Sequence, residues 1–422
     1  MRNSLLSRVT IPLATMLALA TCGTDSSPPT AGPDTVVETI GDTTVVRTLS
    51  GSVWGAEATL VPEITIGRLE GADEYIFGWI WSIAVDDDWN VYVFDEQAHH
   101  VQVYDSAGVY VETLGGRGEG PGEFSRAEAI AMLPDGRLVV RDPGNMRVQV
   151  FGPGPGERDE WRYNSGNAYS MGPLFTDGLG RTFVETRDMS RTDFSMHLVV
   201  LGPDGTPLDT MQLPSSGFEQ ATLTAVTPDG RGSSSGNVPF SSRFIWTVHP
   251  NGHFLTGISS SYRINVPGDD GVLRIERAYD PVPVSAGERD HQHERLTRGM
   301  RNTQPNWSWN GPPIPDHKPA FQALLAGKGG RIWVMLSTEG QAIENENYDP
   351  DNPRSAPLFW REALRYDVFE PDGTYLGVVV PPEDFDNLPL PVFDGDRVWA
   401  VTTDEVGVER VVRYRIVVGD PE

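Results

Sequence analysis

The residues with most chemical potential in this chain are histidines set among carboxylates. His291-Gln292-His293 sits beside Glu288, Asp290 and Glu294, while His99, His100 and His317 lie elsewhere. Imidazole and carboxylate can hold zinc, and carboxylates can hold calcium. The spacing argues against a shared ion: residues 286–302 read as an exposed polar helix, on which positions 291 and 293 point in different directions. No metal site is read from this cluster. A second set is aromatic. Trp307-Ser308-Trp309-Asn310, followed by Gly311-Pro312-Pro313, could form a platform for a glycan or peptide, or a lid pinned on the body of the protein. Arg117, Glu123, Arg243 and Lys318 form a third set. Charges at a channel mouth need one another or a ligand. The G-x-S-x-G elbow, the P-loop, H-E-x-x-H and the dinucleotide fingerprint are all missing.

The elements that must position these residues are repeated. Residues 83–104 align without a gap on residues 130–151, with eight of 22 positions identical, including Asp95/Asp142 and Val101-Gln102-Val103/Val148-Gln149-Val150. An offset of 47 residues falls in the range of solenoids, propellers and arrays. Each unit holds a strand, a Gly or Asp turn, a second strand and a third, a meander whose two apolar faces need neighbours to cover them.

The same punctuation recurs at 84–94, 131–140, 175–184, 247–257, 325–335 and 391–401, where an apolar run and a tight polar turn precede a β-branched or aromatic run. These are hairpin signals, and six of them imply six sheets. A second hairpin type, which completes a four-stranded blade, occurs five times, at 105–114, 152–161, 202–211, 267–276 and 370–379. The sixth sheet therefore lacks an outer strand after Arg410–Val418, and the unpaired run 58–66 supplies it. The expected fold is all-β: a six-bladed β-propeller of four-stranded antiparallel blades, its ring closed by an N-terminal strand. Closure removes exposed edges.

The segment GGRGEGPGEF (115–124), followed by DPGNMRVQVFGPGPG (142–156), resembles the NHL repeat of six-bladed propellers. The likeness is specific over residues 80–165 and only pattern-level beyond them. The whole chain resembles six-bladed propeller lipoproteins of environmental bacteria, a group without an agreed activity. The resemblance implies that Asp95 and Asp142 tie down the turn that follows them, with Asn145 and Arg147 in similar roles, as short polar side chains commonly do. It also leaves room for an enzyme, since some six-bladed propellers are calcium- or zinc-dependent hydrolases or lyases.

At the N-terminus, Arg2 and Arg8 border a run, Val9 to Ala20, that is too short to span a bilayer, so residues 1–21 read as a signal peptide. Cys22 is the chain's one cysteine and stands where lipid would be attached. Thr21 departs from the usual small residue of a lipobox, and cleavage after Ala18-Leu19-Ala20 is the rival reading. Residues 22–35 read as a flexible tether, 36–57 as a hairpin that packs on the propeller or belongs to the stalk, and 58–419 as the propeller. The formal charge of −26 argues against nucleic-acid partners and against docking on anionic lipid. The expected location is extracytoplasmic, lipid-anchored and, with Gly23 after the cysteine, in the outer membrane.

In a propeller, the turns from first to second and from third to fourth strand share one face, while the remaining loops share the other. The short Gly turns all fall on the first face. The insertions 214–242, 285–317 and 338–361 all fall on the second, with the Gly-rich 115–123 linker, and loops are where scaffolds carry function. Arg117, Glu123, Arg243 and Lys318 precede or open innermost strands and are expected at the channel mouth on that face. The functional expectation is a non-catalytic scaffold of the cell envelope that binds a protein, peptide or glycan there without a cofactor. The alternative is a calcium- or zinc-dependent hydrolase or lyase at the channel mouth.

Overall fold

The computed structural model describes residues 32–154, 156–163, 172–187, 196–349 and 355–419. The signal peptide, Cys22 and most of the tether lie outside the described residues. The chain is a six-bladed β-propeller. Blade one is an antiparallel meander of Ile80–Val85, Val91–Asp95, His100–Tyr104 and Tyr110–Gly115. Blade two repeats it with Ala129–Met132, Leu138–Asp142, Arg147–Phe151 and Arg158–Trp161. Every residue of the two middle strands of blade two is buried. Their apolar runs lack strict alternation because neighbouring blades cover both faces of each sheet.

Blade three comprises Phe175–Thr176, Thr182–Arg187, Met196–Leu201 and Pro207–Gln212, and blade four Phe244–Val248, Phe254–Ile258, Arg263–Gly268 and Gly271–Arg277. Blade five is built from Phe321–Ala326, Ile332–Leu336, Tyr366–Phe369 and Tyr375–Val380. Apolar clusters fill each seam between blades. At the seam of blades five and six, Trp333 stacks on Phe393 with ring centroids 4.1 Å apart. Between blades six and one, Trp399, Val411, Val93 and Tyr104 are buried together. The seam between blades three and four is the thinnest of the described clusters, with Phe183, Leu198, Val200 and Val248 as its buried members.

Blade six closes the ring as expected. Its outer strand is Ala58–Ile66, antiparallel to Glu409–Val418 in a register that runs from Ala58 opposite Val418 to Ile66 opposite Val411. The ladder is irregular between Pro62 and Ile64, which suits a residue with no N–H to donate. At that irregularity Glu63 takes Arg397 at 2.8 Å and Arg413 at 3.1 Å. The innermost strand of blade six is split into Phe385–Asp386 and Val392–Asp394, which both pair with Arg397–Thr403. The interruption is Leu388-Pro389-Leu390-Pro391, whose two prolines cannot donate to a ladder.

The residues before the closing strand continue around the outside of the ring. Asp34–Ile40 and Thr43–Ser50 form the expected hairpin, and Thr43–Ser50 pairs in parallel with Gly271–Arg277, widening blade four to six strands. The hairpin thus packs on the propeller. The chain next crosses blade five, where the amides of Val53 and Trp54 donate to the carbonyls of Tyr375 and Leu376. It then enters blade six, where Ala58 and Thr59 also pair in parallel with Val379 and Val380. One N-terminal stretch belts the outer edges of three consecutive blades.

The insertions 214–242 and 285–317 fold on each other. A hairpin of Thr222–Val226 and Ser233–Asn237 packs with the helix Ala286–Thr303 around Leu223, Ala225, Val238, Met300, Trp307 and Ile314. Ser285 caps that helix by accepting from the Glu288 amide, as serine at this position commonly does. The third insertion adds the hairpin Gly340–Glu344 and Leu358–Glu362.

Candidate functional site

The central channel holds a cavity of about 1450 Å³. Its wall is built from innermost strands: the length of Ile80–Val85 and Ala129–Met132, Phe175 and Thr176, Thr247 and Val248, Leu325 and Ala326, and Val392–Asp394. At one end the tight turns of all six blades line it, through Asp86, Asp135, Asp177, Pro250, Lys328 and Asp394 among others. The tight-turn face, although free of insertions, therefore has a concave surface of its own. A ring of six turns around a hollow axis makes a concavity that no single turn has.

The carboxylates at that end are largely engaged with their own turns. Asp86 accepts from the amides of Asp88 and Asn90. Asp135 pairs with Arg137, and buried Asp177 with Arg181 at 2.6 Å. Lys328 lies 2.7 Å from Asp87 and 4.0 Å from Asp394. Asp86, Asp135 and Asp177 each satisfy backbone donors of their own turn, as short acidic side chains do.

The other end, toward the insertion face, is different. It is lined by Trp79, Trp81, Glu128, Gly172, Asp386, Leu388, Leu390, Thr403 and Glu409. Trp79 is 49% exposed and meets Trp81 edge-on with centroids 4.9 Å apart. Leu388 is 72% exposed, in the segment that interrupts blade six. Large apolar side chains left this open around a cavity are characteristic of ligand sites.

Three strands of blade six place the acids. Thr403 lies opposite Glu409 in the sheet, and its hydroxyl donates to Asp386 at 2.9 Å. Glu409 reaches across the seam and accepts from the Ile80 amide of blade one at 2.5 Å. Burial pushes the Glu409 carboxyl above its ordinary value; the Ile80 amide opposes this, and the charges of Asp95 and Asp386 add to it. Glu128 is likewise pushed up by burial, although it pairs with Arg141 at 3.1 Å and Arg126 at 3.3 Å. Glu409 and Asp386 have no cationic partner among the described residues.

Asp95 and Asp142 hold the frame beneath this end. Asp95 accepts from the amides of Gly78, Trp79 and Ala98. Asp142 accepts from those of Ser125 and Arg126 and from the Asn145 side chain. Each Asp thus ties the turn after its strand to the linker that enters the same blade, and Asp95 fixes the backbone that presents Trp79. Arg147 gathers the carbonyls of Glu119, Gly120 and Glu123 and so orders the Gly-rich linker.

The residues singled out from the sequence lie elsewhere. Arg117, Glu123, Arg243, Lys318, Trp307 and Trp309 are all absent from the described lining of the channel. Arg117 and Glu123 are exposed on the linker, where Glu123 accepts from the Gly120 amide. Arg243 is exposed and donates to the Gln322 carbonyl. Lys318 is fully buried: its ammonium contacts Glu288 at 2.6 Å, Glu362 at 2.9 Å and the Thr338 carbonyl at 2.8 Å, over the Phe240 ring. These partners come from all three insertions or their edges. With its three donors used, Lys318 locks the insertions together and has nothing left for a ligand. Trp307 is buried with its indole N–H on the Thr224 carbonyl. Trp309 stacks on His293 at 4.7 Å and donates to the Pro312 carbonyl. Trp307 belongs to the apolar core of the insertion unit, and half-buried Trp309 packs against it. Among the described residues, no three His, Cys, Asp or Glu side chains gather as a group able to hold a metal ion.

The residues that line the channel had a signal of their own. Extending the 47-residue offset two positions upstream sets Glu128 in the place of Trp81, so both units put a conspicuous side chain at the entry of the innermost strand.

A family model described as a 6-bladed beta-propeller matches residues 61–140, from the closing strand into blade two. No curated protein matches the chain. Solved structures that match this chain include a member of the duf4221 family from Bacteroides vulgatus, 9% identical, with 86% of this chain and 99% of that one covered at a TM-score of 0.49. A Bacteroides fragilis protein described as exported is 10% identical, covering 86% and 96% at 0.45. The virginiamycin B lyase of Staphylococcus aureus is 10% identical, covering 86% and 100% at 0.38. No helix among the described residues is long and apolar enough to cross a membrane.

Proposed function

We propose that this propeller is a non-catalytic binding protein of the cell envelope that takes its ligand into the channel from the insertion-bearing face. The observation that carries this reading is the open tryptophan pair and exposed Leu388 around one end of a cavity of about 1450 Å³. A concave site with apolar walls and polar groups that converge on it is the usual form of a small-molecule or peptide site. Native mass spectrometry of protein isolated from its own envelope should show a retained molecule. Hydrogen exchange of that complex should show protection at residues 79–85, 128–132 and 385–392. Protection confined to 222–237 and 286–303 would place the partner on the insertion unit instead. A melt lowered by a chelator, together with metal-dependent turnover, would establish the enzyme.

The same reading places the protein outside the cytoplasm on a lipid anchor in the outer membrane. Its support is the lone Cys22 between a short apolar run and a Ser/Pro-rich tether. Cys22→Ser should move the protein from the membrane fraction to the soluble fraction. A wild-type chain that is already soluble and starts at Thr21 would reverse the assignment.

A further inference from the structure

The site points to a ligand class. We infer that the channel end beside blades six and one binds an organic cation, an ammonium or guanidinium group carried on an apolar body; this rests on the channel being the binding site. Three observations converge. First, the described lining holds nine carboxylates and a single basic side chain, Lys328, which lies at the far end beside Asp87 and Asp394. A channel lined by one sign of charge inside low-dielectric walls concentrates ions of the opposite sign, and the chain as a whole is at −26.

Second, the acids differ in what occupies them. Asp135, Asp177 and Glu128 each have an arginine. Glu409 and Asp386 have only an amide and a hydroxyl, and they repel each other across half-buried space. Such a pair is relieved by a cation. Third, the indoles of Trp79 and Trp81 stand at the same end at right angles, 4.9 Å apart. An aromatic face attracts an ammonium or guanidinium group, while exposed Leu388 and half-exposed Leu390 offer contact to an apolar body. An anion would meet the unpaired charges of Glu409 and Asp386 at this corner, and a neutral sugar would leave the two acids uncompensated.

The test uses tryptophan emission of the full-length protein, titrated with three size-matched dipeptide amides: Lys-Phe-NH2, Gln-Phe-NH2 and Glu-Phe-NH2, each acetylated at its N-terminus. The lysine peptide should quench emission, bind at least tenfold more tightly than the glutamine peptide, and weaken as salt is raised. Glu409→Gln should remove most of that preference, and Trp79→Phe should remove most of the quenching, with both variants melting cooperatively. Equal binding of the lysine and glutamine peptides would overturn the charge selectivity and leave the channel standing as a site. Tight binding of the glutamate peptide would do the same. Failure of all three to bind would overturn both the cation inference and the channel as a site.

Discussion

The arc of blades one to three and the arc of blades four to six are built differently. In the first arc, blades one and two share a register so close that Asp95 and Asp142 make the same bonds 47 residues apart. In the second arc the blades carry all three large insertions, and the N-terminal belt runs along their outer edges. Regular blades are held by local meanders and their seams. The interrupted blades gain added support from the belt outside and from a buried ion triad among the insertions. The candidate site lies where the arcs meet at the seam of blades six and one, with Glu409 of one arc bonded to Ile80 of the other. The candidate site thus stands at a junction, with the regular repeats of blades one and two on one side of it.

The strongest way to test this contrast is to remove the belt's last segment. Deleting residues 58–66 opens blade six, strips blade five of its parallel neighbour and leaves Arg397 and Arg413 without Glu63. The whole ring should lose its cooperative thermal transition. If blades four to six alone unfold, while blades one to three keep slow amide exchange, the arcs are independent and the ring is not a single folding unit.

Next in size is the lock of the insertions. Lys318→Ala leaves Glu288 buried without its cation, and breaking a buried pair from one side costs about 3–5 kcal/mol. Denaturant melts should show that loss, while Arg243→Ala, on an exposed side chain, should stay within about 0.5 kcal/mol. A mild effect at Lys318 would show that the insertions do not depend on the triad.

The smallest effect sharpens the meaning of the junction. The Glu409 carboxyl is raised in the fold, so the folded state holds that proton more tightly than the unfolded chain does. Its favourable contribution is complete below the ordinary glutamate pKa, about 4.3, and disappears as pH rises through the folded value. Glu409→Gln should therefore melt above the wild type at pH 7, with the difference shrinking toward pH 4. A variant that melts lower at pH 7 would show that the carboxylate, with its Ile80 bond, stabilises the seam. Stability sacrificed at a residue that binds is a common feature of functional sites.

The architecture was legible in the chain because it is written in local terms. Turn residues, apolar runs and one gap-free offset specify each meander, and the count of six hairpins against five demanded a strand from the N-terminus, which the pairing of Ala58–Ile66 with Glu409–Val418 supplies. The helix expected over 286–302 was likewise legible in its polar composition and runs Ala286–Thr303 in the fold. The site was not. Arg117, Glu123, Arg243 and Lys318 are charges near strand entries, but the partners that occupy Lys318 lie 30 and 44 residues away in the chain.

The sequence by itself determined six blades, the closing strand and the face that bears the insertions, since strand period, turn chemistry and repeat spacing act between near neighbours. Only the tertiary structure decided where the hairpin at 34–50 docks, that Lys318 and Trp307 are interior, and that Trp79, Glu128, Asp386 and Glu409 share one channel. A side chain's exposure and its partner depend on which distant strands close around it. In a ring, residue 80 meets residue 409 only once the last blade has been sealed.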